Sequence, residues 1–389
     1  MEKEIIILGD IEMGAGNLTD DFISDNTLTE LILELAKRKH PLDLILNGDT
    51  FDFLKCPLIS ESKLIYPRHI TNEISLAKLD LIYQAHKKVF LALKSYLKVK
   101  NKKLFFTIGN HDFDLVYPKV QSRIKELLNN QERIYFLEKY QAHGVYAEHG
   151  QQYDFLNKVN FNSFVLEYKN KFVLNLPFVS FGMISKMLHL KEEHPFIERI
   201  FPRNKIKELH SSVVKKMTLR TSEYFLKSIF YYPFRFYSDP TYIYPRELFK
   251  EFYRRVKQLH WEVDAIVNSF KRENKNLFYK SKICVLGHIH EKYIEDKNGM
   301  VIIHPGSWRD EYEVNMNTQK LIPRAKRYVQ VLVEGNNLEY QLVQVPLNRS
   351  RFDYNQVFQD EIKYIQLAAE EEDYTPILIT TSLQSASFK

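Results

Sequence analysis

The sequence predicts an α/β fold, because short apolar runs alternate with longer stretches of helical periodicity. Three early runs each stop within two residues of a glycine: Ile5–Leu8, Leu42–Leu46 and Leu104–Ile108. Between them, apolar residues recur every three or four positions over Leu28–Lys39 and Ile74–Leu97. We therefore predict buried strands joined by helices in a layered core.

The strand pattern returns later in the chain. Val145–Ala147 precedes Glu148-His149-Gly150, and Ile283–Leu286 precedes Gly287–His290. Three further runs resemble strands: Met300–His304, Tyr328–Val333 and Leu338–Val345. The last two are predicted to form a hairpin through residues 334–337.

Length and composition indicate a globular intracellular protein. The chain has 389 residues and is 44% hydrophobic, which is enough for a large core. Cys56 and Cys284 are its two cysteines, so a disulfide framework is not expected and a reducing compartment is favoured. Since no run approaches about 18 uncharged apolar residues, we predict a cytoplasmic protein.

Charge is unevenly distributed along the chain and suggests an inserted segment. The formal net charge is +6, but residues 155–280 hold 23 Lys and Arg against 12 Asp and Glu. We predict a core formed by residues 1–176 and 255–348, with a mostly helical, basic and aromatic cap at 177–254. The tail at 349–389 is predicted to be partly flexible, since its end, Thr380–Lys389, is rich in Ser and Thr.

Polar metal-ligand types follow the predicted strands. The six donors are Asp10, Asp49, Asn110, His149, His288 and His290. Side chains placed just after several strands converge at one edge of an α/β sheet. Oxygen and imidazole ligands suit Mn, Fe or Zn better than Cu(I), Mg or Ca alone. Any one of these residues has an ordinary explanation as a turn, a cap or a partly buried histidine, so the ordered set carries the prediction.

Five spaced motifs together resemble the signature of the calcineurin-like metallophosphoesterase family. They are Gly9-Asp10, Gly48–Asp52, Gly109–Asp112, His149-Gly150 and Gly287–His290. The resemblance implies a four-layer sandwich of two mixed β-sheets flanked by helices, and two divalent metal ions. It implies that Asp49 bridges the metals. Each metal would have further ligands, which are Asp10 and His290 for one, and Asn110, His149 and His288 for the other. His111 would be the catalytic histidine, and Asp112 would orient it.

Glu12 departs from the family pattern, which usually has a histidine at this position. One interpretation makes its carboxylate a ligand beside Asp10 and Asp49, which would favour a harder metal such as Mn. In the other, Glu12 points away and leaves the first metal weaker or absent.

The residues that select the substrate are less clearly marked. Gln151, Tyr153 and Asp154 follow His149 and are predicted to contact substrate, with helix capping or support of the ligands as the alternative. The insert is reminiscent of UDP-2,3-diacylglucosamine hydrolase-like members, which have an inserted lid but usually carry arginine where this chain has His111. Its cations and aromatic residues fit a lid over an anionic substrate, a peripheral membrane contact, a nucleic-acid surface or simply the core of the cap.

These features predict a metal-dependent hydrolase of phosphate esters or pyrophosphates, with His111 as the general acid. The alternatives are a nuclease or phosphodiesterase acting on nucleic acid, and a non-catalytic scaffold with the same fold. The expected partner is an anionic, phosphate-containing substrate.

Overall fold

A computed structural model gives the fold of the chain. It describes residues 2–60, 63–65, 68–154, 157–159, 163–182, 188–202, 205, 206, 208, 210–242, 263–297 and 299–376. The strands, in chain order, are β1 (Lys3–Leu8), β2 (Leu42–Asn47), β3 (Leu58–Ser60), β4 (Lys63–Ile65), β5 (Lys102–Thr107), β6 (Ile134–Leu137), β7 (Tyr140–Ala142), β8 (Val145–Glu148), β9 (Val165–Tyr168), β10 (Lys171–Leu174), β11 (Ile200–Phe201), β12 (Ile283–Leu286), β13 (Tyr293–Lys297), β14 (Met300–His304), β15 (Tyr312–Asn315), β16 (Lys320–Pro323), β17 (Arg327–Glu334), β18 (Asn337–Gln344) and β19 (Phe352–Asp353).

The helices lie between and around these strands. They are α1 (Asp25–Lys37), α2 (Asn72–Ala85), α3 (Lys87–Lys98), α4 (Pro118–Leu127), α5 (Phe178–Gly182), α6 (Leu188–Glu193), α7 (Ser211–Phe236), α8 (Val263–Glu273), α9 (Tyr354–Gln359) and α10 (Glu361–Glu370). Short 3₁₀ turns occur at Phe113–Val116, Gln151–Tyr153, Ile197–Arg199 and Lys275–Tyr279.

Two mixed sheets form the centre of the molecule. The first has the order β18-β17-β1-β2-β5-β6, and its strands β1, β2, β5 and β6 are parallel. The second has the order β13-β14-β12-β8-β7, with β14, β12 and β8 parallel. The outer strands β17 and β18 of the first sheet pair antiparallel with their neighbours. The outer strands β13 and β7 of the second sheet do the same.

Apolar side chains that point to alternate faces of the strands explain why the sheets stack. Ile5 and Ile7 of β1 face a cluster that includes Val285 of the second sheet, whereas Ile6 and Leu8 pack in the cluster that holds α1 and α3. On the outer face of the second sheet, Phe270 of α8 packs in a third cluster. Helices, sheet, sheet and helix therefore form four layers, which confirms the predicted sandwich of two mixed sheets flanked by helices.

The helical stretch predicted over Ile74–Leu97 is two helices that meet at His86. The backbone of His86 has φ −112° and ψ 33°, and its ring is fully buried. Nε2 lies 2.9 Å from Asp20 Oδ2, and Nδ1 lies 3.0 Å from Asp25 Oδ2. Burial would lower the pKa of His86, but the charges of Asp25 and Asp20 raise it to about 10. The helix therefore breaks where a buried imidazolium joins α2 and α3 to the chain between β1 and α1.

The described part of the predicted cap shares a core with the C-terminal helices. Phe196 and Ile200 lie in one apolar cluster with Val357 of α9 and Ile365 of α10. Strand β11 also pairs with β15, in a small sheet that continues through β16 to β19. Residues 352–376 thus fold against the insert, whereas the predicted frayed end, Thr380–Lys389, lies outside the described residues.

Helix α7 carries an exposed apolar stripe. Its members are Leu219, Leu226, Phe230, Phe234 and, just past the helix end, Tyr237. Phe234 is 82% exposed and Tyr237 is 91% exposed. Among the helices of the described residues, none combines the length and the apolarity needed to cross a membrane.

We expect the His86 bridge to make the stability of the protein depend on pH. The folded-state pKa of about 10 lies above the unfolded value of 6.5, so the bridge stabilises fully below 6.5 and loses its effect towards pH 10. His86→Leu should remove this dependence and, because it leaves two buried carboxylates unpaired, destabilise the fold by about 3–5 kcal/mol near neutral pH.

Urea unfolding at several pH values would measure both effects. The exposed His143 supplies the control, since His143→Asn should keep the wild-type pH dependence. Parallel pH profiles for His86→Leu and the wild type would contradict the expectation.

Candidate metal centre

The carboxyl ends of five strands from both sheets meet at one place. Asp10 follows β1, Asp49 follows β2 and Asn110 follows β5, all in the first sheet. His149 follows β8, and His288 follows β12, in the second sheet. Because the parallel strands of each sheet point the same way, their terminal loops lie at a common edge.

Direct contacts link the donors from the two sheets. The Oδ1 atom of Asn110 lies 3.1 Å from His149 Nε2 and 2.8 Å from His288 Nδ1. His149 Nε2 also lies 3.0 Å from Asp49 Oδ2. The backbone N–H of His288 donates to Asp10 Oδ1 at 2.9 Å. The structure therefore brings these five residues into one cluster, in which His288 is half-buried and the other four are buried.

The remaining predicted donors border this cluster. His290 Nε2 lies 3.7 Å from Asp10 Oδ1 and 3.2 Å from Glu12 Oε1. The other ring nitrogen, Nδ1, lies 3.0 Å from Glu311 Oε1. Glu12 is 1% exposed, and its side chain lies inside the site beside His290.

Asp49 belongs to two groups of ligand atoms. One group is Asp49, His149 and His288, and the other is Glu12, Asp49 and His111. In each group, the ligand atoms lie within 4.8 Å of one another. A carboxylate shared by two such groups occupies the position that a bridging ligand needs.

Two glycines allow the loops to approach this closely. A Cβ atom on Gly109 would lie 2.1 Å from Asp49 Oδ1, and one on Gly48 would lie 2.4 Å from the Cβ of His149. The backbone is also unusual at three site residues, since Glu12, Asp49 and His288 have φ of 58°, 45° and 73°. Left-handed backbone is costly for non-glycine residues and tends to occur at functional sites.

Opposite charges compensate one another at the shared carboxylate. Burial would raise the pKa of Asp49, but His149 and His111 hold it at about 2. Burial would lower the pKa of His149, yet Asp49 and Asp10 raise it to about 10. Without a metal ion, the proton on His149 offsets the charge of Asp49, and a bound cation would replace that proton.

Glu12 is ionised for a related reason. Burial would raise its pKa, but the charges of Arg309, Lys55 and His111 and the His290 contact hold the pKa well below its ordinary value. An ionised carboxylate inside the site is the form that can bind a metal ion.

A different carboxylate from the predicted one lies against His111. Asp52 Oδ1 lies 2.9 Å from His111 Nδ1. Asp112, which was expected to orient the ring, instead accepts hydrogen bonds from the backbone N–H groups of Gly109 and Thr50, at 2.6 and 2.8 Å. Asp112 therefore joins the loops after β2 and β5, and Asp52 holds the imidazole.

The three predicted substrate residues have separate surroundings. Asp154 Oδ2 lies 3.1 Å from His288 Nε2, beside the predicted ligands. Gln151 donates to the backbone oxygen of Ile108 at 3.1 Å. The hydroxyl of Tyr153 donates to Glu148 Oε1 at 2.6 Å. Of these three contacts, the one made by Asp154 is to a predicted metal ligand.

Sequence reasoning gave no role to four charged residues near the site, which are Asp52, Lys55, Arg309 and Glu311. Asp52 stands inside the Gly48–Asp52 motif, and that proximity was a usable signal. Arg309 and Glu311 follow a strand on a distant part of the chain, and their contacts with Glu12 and His290 are visible only in three dimensions.

The donor set fits divalent cations, because carboxylate, amide and imidazole groups from both sheets come together around Asp49. Carboxylate, amide and imidazole ligands suit Mn, Fe or Zn. Carboxylates also lie against His111, His288 and His290, a typical second-sphere arrangement that fixes ring orientation around metals.

No protein-family model and no curated protein matches the chain. Among solved structures, one match is a Staphylococcus aureus protein provisionally named a 5'-nucleotidase, in complex with α-ketoglutarate. The match has 13% identity and a TM-score of 0.32, and it covers 95% of this chain and 58% of that protein. The chain thus spans less than two thirds of that protein's length, and its site is assigned from its own residues.

We expect Gly109→Ala to weaken metal binding at this centre strongly. The added methyl group would lie 2.1 Å from Asp49 Oδ1 and 2.4 Å from the Asp49 backbone nitrogen, so the shared carboxylate must move. Elemental analysis after metal reconstitution and gel filtration would measure the stoichiometry.

Gly335→Asn supplies the control, because nothing lies within 4 Å of a Cβ atom there and Asn tolerates its left-handed backbone. Two full equivalents of metal in Gly109→Ala would show that Asp49 does not hold the ions.

Proposed function

We propose that the protein is a metal-dependent hydrolase of phosphate esters or pyrophosphates, related to the calcineurin-like metallophosphoesterases. The observation that carries the proposal is the single buried carboxylate, Asp49, shared by two groups of metal-ligand types at the meeting point of two sheets. Two ions held by one bridging carboxylate are typical of enzymes that displace groups at phosphorus.

The proposed ligands form two sets, one on each side of Asp49. Asp10, Glu12 and His290 would hold the first ion, and Asn110, His149 and His288 the second. When bound, the two cations would lower the pKa of water and neutralise the oxygens of the phosphate.

We propose that His111 acts as the general acid. Its backbone N–H donates to Asp49 Oδ1 at 2.7 Å, which fixes the residue beside the shared carboxylate. Burial would lower the pKa of its ring, but the charges of Asp52, Glu12 and Asp49 raise it to about 9, and the contact of Nδ1 with Asp52 favours the protonated ring. With Nδ1 against Asp52, the Nε2 proton can pass to the departing oxygen of the ester.

One feature distinguishes this proposal from a non-catalytic scaffold. A scaffold has no need for a buried cluster of three carboxylates, an amide and three imidazoles, which costs stability unless every charge is compensated.

The substrate class is proposed more narrowly from the insert. Lys and Arg outnumber Asp and Glu there, which favours an anionic ester that is linked to a nucleotide or a lipid. A nuclease is the alternative, and salt-sensitive binding of DNA or RNA would support it.

We expect His111→Gln to lower kcat by about 10²–10⁴-fold, because the general acid is lost. The assay is hydrolysis of a panel of phosphomonoesters, diesters and pyrophosphates by protein reconstituted with Mn²⁺. The metal content of the variant should stay at two equivalents, and His143→Asn should retain full activity.

A loss of metal in His111→Gln would make His111 a ligand rather than the acid. Unchanged turnover of the preferred ester in Asp49→Ala with added Mn²⁺ would reject the hydrolase mechanism as a whole.

We further propose that α7 contacts an anionic lipid surface. Its exposed apolar residues lie three, four or seven positions apart along one side, and the helix contains five Lys and Arg against one Glu. Amphipathic helices with this composition lie in the interface of anionic membranes.

Sedimentation with vesicles of phosphatidylglycerol or phosphatidylcholine would test this contact. Phe230→Ser combined with Phe234→Ser should weaken binding to phosphatidylglycerol by about tenfold or more, because two large apolar groups are lost. Phe172→Ser is the matched control, since Phe172 is 67% exposed on β10. Equal binding of the double variant and the wild type would remove the proposal.

A further inference from the structure

The Glu12 carboxylate contacts two buried, positively charged side chains as well as the predicted ligand His290. Lys55 Nζ lies 3.1 Å from Glu12 Oε2, and Arg309 Nη1 lies 3.4 Å from the same oxygen. The second oxygen, Oε1, lies 3.2 Å from His290 Nε2. Lys55 and Arg309 are 2% and 3% exposed, so solvent does little to screen these charges.

Lys55 joins Glu12 to the histidine that we propose as the general acid. Its Nζ atom lies 3.1 Å from Asp52 Oδ2, and its backbone N–H donates to Asp52 Oδ1 at 3.0 Å. Asp52 Oδ1 in turn lies 2.9 Å from His111 Nδ1. One ammonium group therefore fixes the orientation of both Glu12 and the carboxylate behind His111.

Arg309 makes the corresponding connection on the other side of Glu12. Its Nε atom lies 3.9 Å from Glu311 Oε1, and that oxygen lies 3.0 Å from His290 Nδ1. Asp21 anchors the guanidinium, at 2.5 Å from Nη2. Glu12 thus lies between two cations, each of which also contacts the carboxylate partner of a site histidine.

We propose that Lys55 and Arg309 are positioning residues that supply the counter-charge for Glu12. Because of these two charges, the first metal site depends on a carboxylate at position 12. The inference rests on the proposed two-metal site. A histidine at this position would be a good ligand by itself, but it would remove one of the carboxylates that offset the buried charges of Lys55 and Arg309 next to a divalent ion. Asp21 would then remain as the carboxylate that both side chains share. Glu12, Lys55 and Arg309 are therefore one coupled set.

The same reasoning specifies the metal that the first site prefers. Asp10, Glu12 and Asp49 give it three carboxylates, and the two cations offset part of their charge without occupying the ligand position. Carboxylate-rich sites favour Mn²⁺ relative to sites with more imidazole, which favour Zn²⁺. Glu12→His should thus weaken Mn²⁺ binding and shift the preference toward Zn²⁺.

A double-mutant cycle tests the coupling. Metal-free protein would be titrated with Mn²⁺ and with Zn²⁺ by calorimetry, with no substrate present. We expect Glu12→His to weaken Mn²⁺ binding at one of the two sites by about tenfold or more. Lys55→Met should weaken Mn²⁺ binding in the wild-type background, because Glu12 loses its orientation, but strengthen it in the Glu12→His background, where the ammonium is a repulsive neighbour.

Lys191 offers a matched control within the same group of cations. Its ammonium pairs with Asp21 and with Glu198, the latter at 3.0 Å, and it is 1% exposed. Lys191→Met removes an equally buried charge and should leave Mn²⁺ affinity within about twofold of the wild type. Thermal unfolding of each variant would show that the comparison is between folded proteins.

Two outcomes would overturn the proposal. In the first, Lys55→Met changes Mn²⁺ affinity by the same factor in both backgrounds. In the second, Glu12→His binds Mn²⁺ as tightly as the wild type; this comparison decides the question even if Lys55→Met does not fold, because it leaves both cations in place. Loss of hydrolysis with the coupling intact would instead reject only the proposed function.

Discussion

The structure depends on the approach of two loops around one carboxylate. Asp49 accepts the backbone N–H of His111 and lies 3.0 Å from a ring nitrogen of His149, so it touches residues that come from both sheets. Glycines at positions 48 and 109 leave the space that this approach requires. Because the two sheets stack through a shared apolar cluster, the strand ends that carry these residues are held at a fixed separation.

Charge compensation extends well beyond the residues that would touch a metal ion. Asp21 is fully buried and lies within ion-pair distance of Lys55, Lys191 and Arg309. Burial would raise its pKa, but Arg309, Lys191 and Lys55 hold the pKa well below its ordinary value. Buried charges persist in a fold when each has a partner, and here the partners include Lys191 and Glu198 from the insert. The insert is thus electrostatically connected to the candidate metal centre.

Much of the fold and of the candidate site follows from local sequence. Short apolar runs followed by glycine and a polar residue predicted β1, β2, β5, β8 and β12, and the donor types after them predicted which side chains would meet. The break at His86 was missed, since helical periodicity continues through it and the partners that hold its ring lie about 60 residues away. Non-local pairing hides such a feature from any local pattern.

The same reason explains the charged residues that were overlooked. Lys55 and Arg309 are ordinary surface types in a linear sequence, and only their burial beside Glu12 gives them a role. The resemblance to the metallophosphoesterases implied that Asp112 orients His111, yet Asp112 joins two loops and Asp52 lies at the ring. A motif match does not determine which carboxylate a histidine faces.

The apolar cluster shared by the insert and the C-terminal helices has a consequence for biosynthesis. Phe196 and Ile200 find their neighbours Val357 and Ile365 only after more than 150 further residues have been synthesised. The ribosome adds about 5–20 residues per second, so the nascent insert spends about 8–30 seconds before these neighbours are made. During that interval the growing polypeptide is open to misassembly. Chaperones that shield apolar segments would act on the insert at this stage.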